Sequence, residues 1–176
     1  MRLYRVARPA SPARHLAKTL GWMVVVWTLA LLALPAVLRT AERWLGVPTW
    51  ALPGGRVVGS VLLLAASALG IRCAVAMAGG EGTPVPFDAA ARLVVTGPYR
   101  WVRNPMAVSG CTQALGVALL VGSPSYYLVP PAGALLWHVV IRPSEERFLL
   151  QRFGSAYAAY RDAVPLWVPA RLPWGR

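Results

Sequence analysis

Three long stretches of this chain are free or almost free of formal charge. The first, residues 20–38, runs for 19 positions and follows a basic segment holding Arg2, Arg5, Arg8, Arg14 and Lys18. The second, 57–78, is uncharged as far as Ile71, with Arg72 near one end, where a long side chain can snorkel to a polar interface. The third, 104–141, holds 38 residues with no formal charge. A bilayer's hydrocarbon is ~30 Å thick and takes about 20 mainly apolar residues to cross as a helix, so the first two stretches each predict one span. The third is too long for one helix and is interrupted by Gly122, Ser123, Pro124 and Ser125. That pattern predicts a tight hairpin, with arms over 106–121 and 126–141. Each arm is about 24 Å long at 1.5 Å per residue, enough to reach its interfaces with little tilt. Pro130 and Pro131 disturb the first turn of the second arm.

A secretory signal is the competing reading of 20–38. The run is longer than a usual signal core, and no small-x-small pattern precedes the next charge, so a retained helix is expected. Composition agrees: 57% of residues are hydrophobic and 14% charged, against roughly 45–50% and 25% in soluble domains. The net charge of +12 comes from 18 Lys and Arg against six acids. In a soluble protein that excess points to nucleic acid. Here the cations collect between apolar stretches, so a membrane is the expected partner and nucleic acid is not. Five cations lie in the N-terminal segment, four in 72–103, six from Arg142 onward, and three in 39–56. By the positive-inside bias both termini and the 72–103 loop are cytoplasmic. The expectation is an all-α integral membrane protein of about four transmembrane helices in the cytoplasmic membrane, with all six acids in loops or tails. Cys73 and Cys111 fit no metal spacing and are expected to pack; no metal site is expected.

Two polar segments flank the hairpin. The first, 79–105, carries Gly and Pro residues that argue against a continuous helix, and ends in Gly97-Pro98, Tyr99, Arg100, Trp101, Arg103, Asn104 and the helix-starting Pro105. A basic interfacial anchor explains the arginines and Trp101, though not the glycines or Asn104. The second, 137–160, places His138, Arg142 and Glu145 on one face if a helix runs through Pro143. Alternatively Pro143 ends the span and Ser144 caps a new amphipathic helix, with Glu145 and Glu146 in its first turn and Leu149, Phe153, Tyr157 and Tyr160 as its stripe. Gln113, mid-span, is expected to hydrogen-bond between helices.

The string LVVTGPYRWVRNPM, an apolar hairpin, and then RPSEERFLLQRFGSAYAAYRDAVPLWVP resembles the isoprenylcysteine carboxyl methyltransferase and phospholipid methyltransferase family. Members are integral-membrane enzymes that use S-adenosylmethionine. The resemblance covers 82–169, while the first two spans match only in character. The family pattern continues Arg-His-Pro, a variable residue, Tyr, another residue and Gly. Here Arg103 and Pro105 match, Asn104 stands for His, Ala107 for Tyr, and Ser109 for Gly.

The resemblance implies a single membrane domain in which 1–78 supplies N-terminal helices and 79–176 the cofactor-binding, catalytic part. It implies a cofactor site formed by Tyr99, Arg103, Asn104, Pro105, His138, Glu145, Glu146 and Tyr157, with Phe153, Gly154 and Tyr160 closing the lower wall. Glu145 or Glu146 suits the cofactor's ammonium, and Arg103 or Arg142 its carboxylate. Tyr99 and Trp101 suit its adenine or sulfonium. A carboxylate or thiolate acceptor needs only Arg142 or Arg103 to hold it, whereas an amine must lose a proton, to His138 or a glutamate. The implied acceptor is a small lipophilic or membrane-borne molecule, an isoprenylcysteine-like carboxylate first and a phospholipid headgroup amine second. A four-helix exporter is the non-enzymatic alternative, and it would require an acid within a span.

Overall fold

The computed structural model describes residues 5–6, 10–82 and 88–169. Arg2, Arg8, Arg171 and Arg176, counted above as topology markers, and the 83–87 part of the Gly- and Pro-rich segment lie outside the described residues. Helix α1 (Pro12–Trp27) opens on Ser11, whose side chain accepts from the Arg14 amide, with proline at the first helical position. It passes through a π-helical stretch, Thr28–Ala33, into α2 (Leu34–Trp44). Together these make one long apolar helix, Ala13–Trp44, and with α3 (Gly55–Gly79) they are the two helices among the described residues long and apolar enough to cross a membrane. Helix α4 (Pro105–Val121) is apolar and one turn shorter than a comfortable span.

The predicted hairpin is present. Gly122 adopts φ +61°, a left-handed conformation that ends α4, and a 3₁₀ turn, Tyr126–Leu128, leads into α5 (Val129–Leu136). A second π-helical stretch, Trp137–Ile141, then joins α5 to α6 (Arg142–Phe153). Pro143 therefore does not end the helix. A regular helix would miss one amide bond at that proline, and the widened turn just before it absorbs the mismatch. Ser144 is accordingly no cap: its hydroxyl donates to the Ile141 carbonyl at 2.7 Å. The break comes later, at Gly154, whose φ of +54° with ψ −129° is open essentially to glycine alone. The stripe from Leu149 to Tyr160 is thus divided between α6 and α7 (Ser155–Ala163). Its members still converge, as Tyr157, Tyr160 and Val164 pack with Leu149, Phe153, Leu93 and Val95. The described residues are otherwise helical or irregular, apart from a two-residue parallel pairing of β1 (Arg5–Val6) with β2 (Asp88–Ala89).

Helices α3 and α4 form the centre. A Cβ on Gly59 would lie 2.6 Å from the Gly116 carbonyl oxygen, and one on Gly116 2.8 Å from that of Gly59, so the two backbones touch where neither has a side chain. Polar bonds fix the same seam: Ser109 donates to the Ala66 carbonyl at 2.7 Å, and Gln113 donates to Ser67 at 3.0 Å. This is the interhelical role expected of Gln113. Cys73 is fully buried and Cys111 half-buried, and both are free thiols. Outward faces are largely apolar, with Leu32 67% exposed, Leu64 71% and Leu135 64%, an arrangement suited to lipid rather than water.

One expectation fails. Glu42 lies in α2, inside the long apolar helix, and is only 3% exposed. It accepts from Ser123 Oγ at 2.7 Å, from the Ser125 amide at 2.8 Å and from Arg39 at 3.1 Å. Acids were expected only in loops because a buried carboxylate is costly. Here three donors satisfy it, and it ties the first helix to the hairpin turn.

Candidate functional site

The opposite end of α4 carries the polar chemistry. Gly97, at φ +58°, turns the chain into a 3₁₀ turn, Gly97–Arg100, that buries Tyr99. Asn104 then caps α4 by accepting from the Ala107 amide at 3.0 Å, so its side-chain oxygen has a helix-starting job. Pro105 occupies the first helical position and is fully buried. Between them, the Arg103 amide donates to the Pro165 carbonyl at 2.9 Å, and the Tyr160 hydroxyl donates to the Tyr99 carbonyl at 2.8 Å. The tail after α7 is in this way folded back on the 97–104 turn.

The side chain of Arg103 reaches across to α6 and donates from Nη1 to Glu146 Oε1 at 2.8 Å. Arg142 approaches the other oxygen of Glu146 at 3.6 Å while its Nε donates to the His138 carbonyl one turn back. Glu146 is therefore shared by two guanidinium groups. Glu145, one position earlier, has no ion-pair partner among the described residues. Burial, with the Glu146 charge beside it, pushes its carboxyl from 4.5 up to about 7. Arg103 is incompletely matched as well: its Nε is buried and finds no acceptor among the described residues. The two glutamates that sequence reasoning treated as interchangeable are thus different groups, one paired with two arginines and one with no ion-pair partner among the described residues.

Tyrosines wall this cluster. Tyr157 is 3% exposed, and its phenol is pushed up to about 12 by burial and the nearby Glu146. Tyr99 and Tyr160 are also raised, chiefly by burial, so all three remain neutral hydrogen-bonding groups at physiological pH. Trp101 is 42% exposed and sits at the rim, unlike the enclosed Tyr99. His138 lies in the π-helical stretch, where its Nδ1 accepts from Trp167 Nε1 at 3.2 Å.

Trp167 is the residue that sequence reasoning missed. It lies in an irregular tail with no periodicity to flag it, and the clue available was an aromatic two positions beyond a proline that follows a helix. Of the expected residues, the structure brings Arg103, Glu145, Glu146, Arg142 and Tyr157 into one cluster, with Tyr99 and His138 at its borders. Asn104 and Pro105 shape the backbone entering α4.

The Glu145 carboxyl and the Arg103 Nε are the two groups of this cluster without an ion-pair or hydrogen-bond partner among the described residues. A family model described as phospholipid methyltransferase matches residues 55–156. The protein-S-isoprenylcysteine O-methyltransferase of Schizosaccharomyces pombe is 34% identical over 79 residues, 44% of this chain. The aligned stretch spans 33% of that protein's length. The family match takes in α3, the 97–104 turn, the hairpin and all of α6, which is more than half of the chain, and the chain belongs to the phospholipid methyltransferase family.

Proposed function

We propose that this chain is a membrane methyltransferase that uses S-adenosylmethionine and methylates a small lipophilic or membrane-borne acceptor, an isoprenylcysteine-like carboxylate first. The observation that supports the cofactor reading is a half-buried Glu145 with no ion-pair partner and a buried Arg103 Nε with no acceptor among the described residues. Opposite and unmet, these groups suit the two ends of an amino acid. When bound, the cofactor supplies a methyl group on a positively charged sulfur, open to in-line displacement. Glu145 would hold the ammonium, and Arg103 would hold the carboxylate while Nη1 stays on Glu146. Tyr157 and Tyr99 would exclude water from the cationic end. Arg142, pinned by Glu146 and the His138 carbonyl, is placed to orient an anionic acceptor.

The topology belongs to the same reading: four crossings, by Ala13–Trp44, α3, α4 and residues 126–141, with both termini and the site on the cytoplasmic side. A headgroup amine is the second acceptor class, favoured by the description of the family. A labelled-methyl assay on membrane lipids separates the two, since a methyl ester is base-labile and a methylamine is not. The exporter reading gains an acid within a span, Glu42, but that carboxylate is occupied by three donors and serves the fold.

Calorimetric titration of S-adenosylmethionine into detergent-solubilised protein tests the site. Loss of a charge-assisted bond costs about 1.5–3 kcal/mol, so Glu145→Gln is expected to weaken binding about tenfold to a hundredfold. Equal affinity in the wild type and in Glu145→Gln would overturn the assignment.

A further inference from the structure

We propose that Trp167 is a positioning residue that holds the His138 imidazole with its proton on Nε2, making His138 a hydrogen-bond donor rather than a proton acceptor. An indole N–H can only donate, and a neutral imidazole has one donor and one acceptor nitrogen. Trp167 Nε1 meets His138 Nδ1 at 3.2 Å, so Nδ1 is the acceptor and the proton resides on Nε2. The rings lie nearly parallel, 24° apart with centroids at 6.3 Å, and Trp137 braces Trp167 edge-on at 5.2 Å and 80°. Trp167 is therefore held on two sides.

The tail that carries Trp167 is equally fixed. Val164 is buried against Tyr157 and Tyr160, and Pro165 accepts from the Arg103 amide. From Arg103 the contacts run to Glu146, Arg142, the His138 carbonyl, the His138 ring, Trp167 and back through Pro165. His138 is thus a member of the same closed ring as the two arginines, with its lone-pair nitrogen turned to the indole. As a base for an amine acceptor it is already engaged. Its Nε2–H complements an acceptor that arrives with its lone pair available, a carboxylate or a thiolate. This consequence for the acceptor rests on the methyltransferase reading, whereas the tautomer does not.

The chain has two histidines, His15 and His138, so ¹⁵N-histidine labelling of the whole protein in detergent gives two sets of imidazole signals, and His138→Gln assigns them. The expected wild-type result is a protonated Nε2 and an unprotonated Nδ1 on His138. Trp167→Phe keeps an aromatic ring against Trp137 but removes the donor, and is expected to shift the Nδ1 signal toward the tautomer average. A proton on Nδ1 in the wild-type protein, a readout that needs no variant, would overturn the proposal; so would an Nδ1 signal unmoved by Trp167→Phe. Titrating S-adenosylmethionine into the same wild-type sample decides the other reading separately: failure to bind, alongside an Nε2 proton, overturns the acceptor consequence and leaves the positioning role supported.

Discussion

Glu146 faces Arg103 at 2.8 Å and Arg142 at 3.6 Å, while Glu145, about 100° around the same helix, faces neither. One residue of helical rotation separates a satisfied carboxylate from one whose charge burial opposes, and a pH signature follows. The folded state holds the Glu145 proton near 7 rather than 4.5. Its contribution to stability is therefore full below 4.5 and is lost as pH rises through about 7. Ammonium binding needs the charged form, so the affinity for S-adenosylmethionine is expected to rise several-fold between pH 6 and 7.5, while the ligand-free protein melts at a lower temperature over the same window. Glu145→Gln should flatten both profiles, and pH-independent binding by the wild type would contradict them. Sequence alone marked both glutamates, because acids are scarce here and two stand together beside a predicted span. It did not divide their roles, since that depends on which side of α6 meets Arg103 from 43 positions away.

At the scale of elements, the turn at 122–125 was legible because glycine, serine and proline interrupt an otherwise apolar run. Pro143 misled in part, because a proline at a predicted interface reads as a stop. The π-helical turn that carries the helix past it has no signature in hydrophobic spacing. A comparable stretch widens the first helix, where the Ala30 carbonyl accepts from the Tyr126 hydroxyl at 2.6 Å. The α3–α4 seam was also hidden, since Gly59 and Gly116 matter through a contact between distant segments. In α4, Gly116→Ala sets a Cβ 2.8 Å from a backbone oxygen and 3.0 Å from the Leu63 nitrogen. Parting the helices costs about 1–3 kcal/mol, more than the ~1 kcal/mol gained from alanine's helix preference. Gly110→Ala, in the same helix with nothing within 4 Å, is the control. Thermal melts in detergent should show a lower midpoint for Gly116→Ala and none for Gly110→Ala; a shared response would mean that the close approach is not what the glycine provides.

Across the whole molecule, the chain is organised by its two ends. At one, Trp50 donates to the Gly122 carbonyl at 2.9 Å and Glu42 gathers Ser123 and Ser125, so the 45–54 loop and the hairpin turn share a side. At the other, Arg103, Tyr99, Glu146 and the tail meet. This grouping comes from contacts and agrees with the cation count, in which the sparsely basic loop and the uncharged turn fall together. The proposed four-crossing topology then makes a directional prediction. In a background with Cys73 and Cys111 replaced, Thr49→Cys and Ser155→Cys place single thiols at exposed positions of the two ends. A membrane-impermeant maleimide should label Thr49→Cys in intact cells and Ser155→Cys only after permeabilisation. The reverse pattern would invert the chain in the membrane, and labelling of both from outside would put the site and the far turn on one side. Apolar outward faces do not distinguish these outcomes, whereas fifteen cations against three predict one of them, which makes the labelling a test of charge as the determinant of orientation.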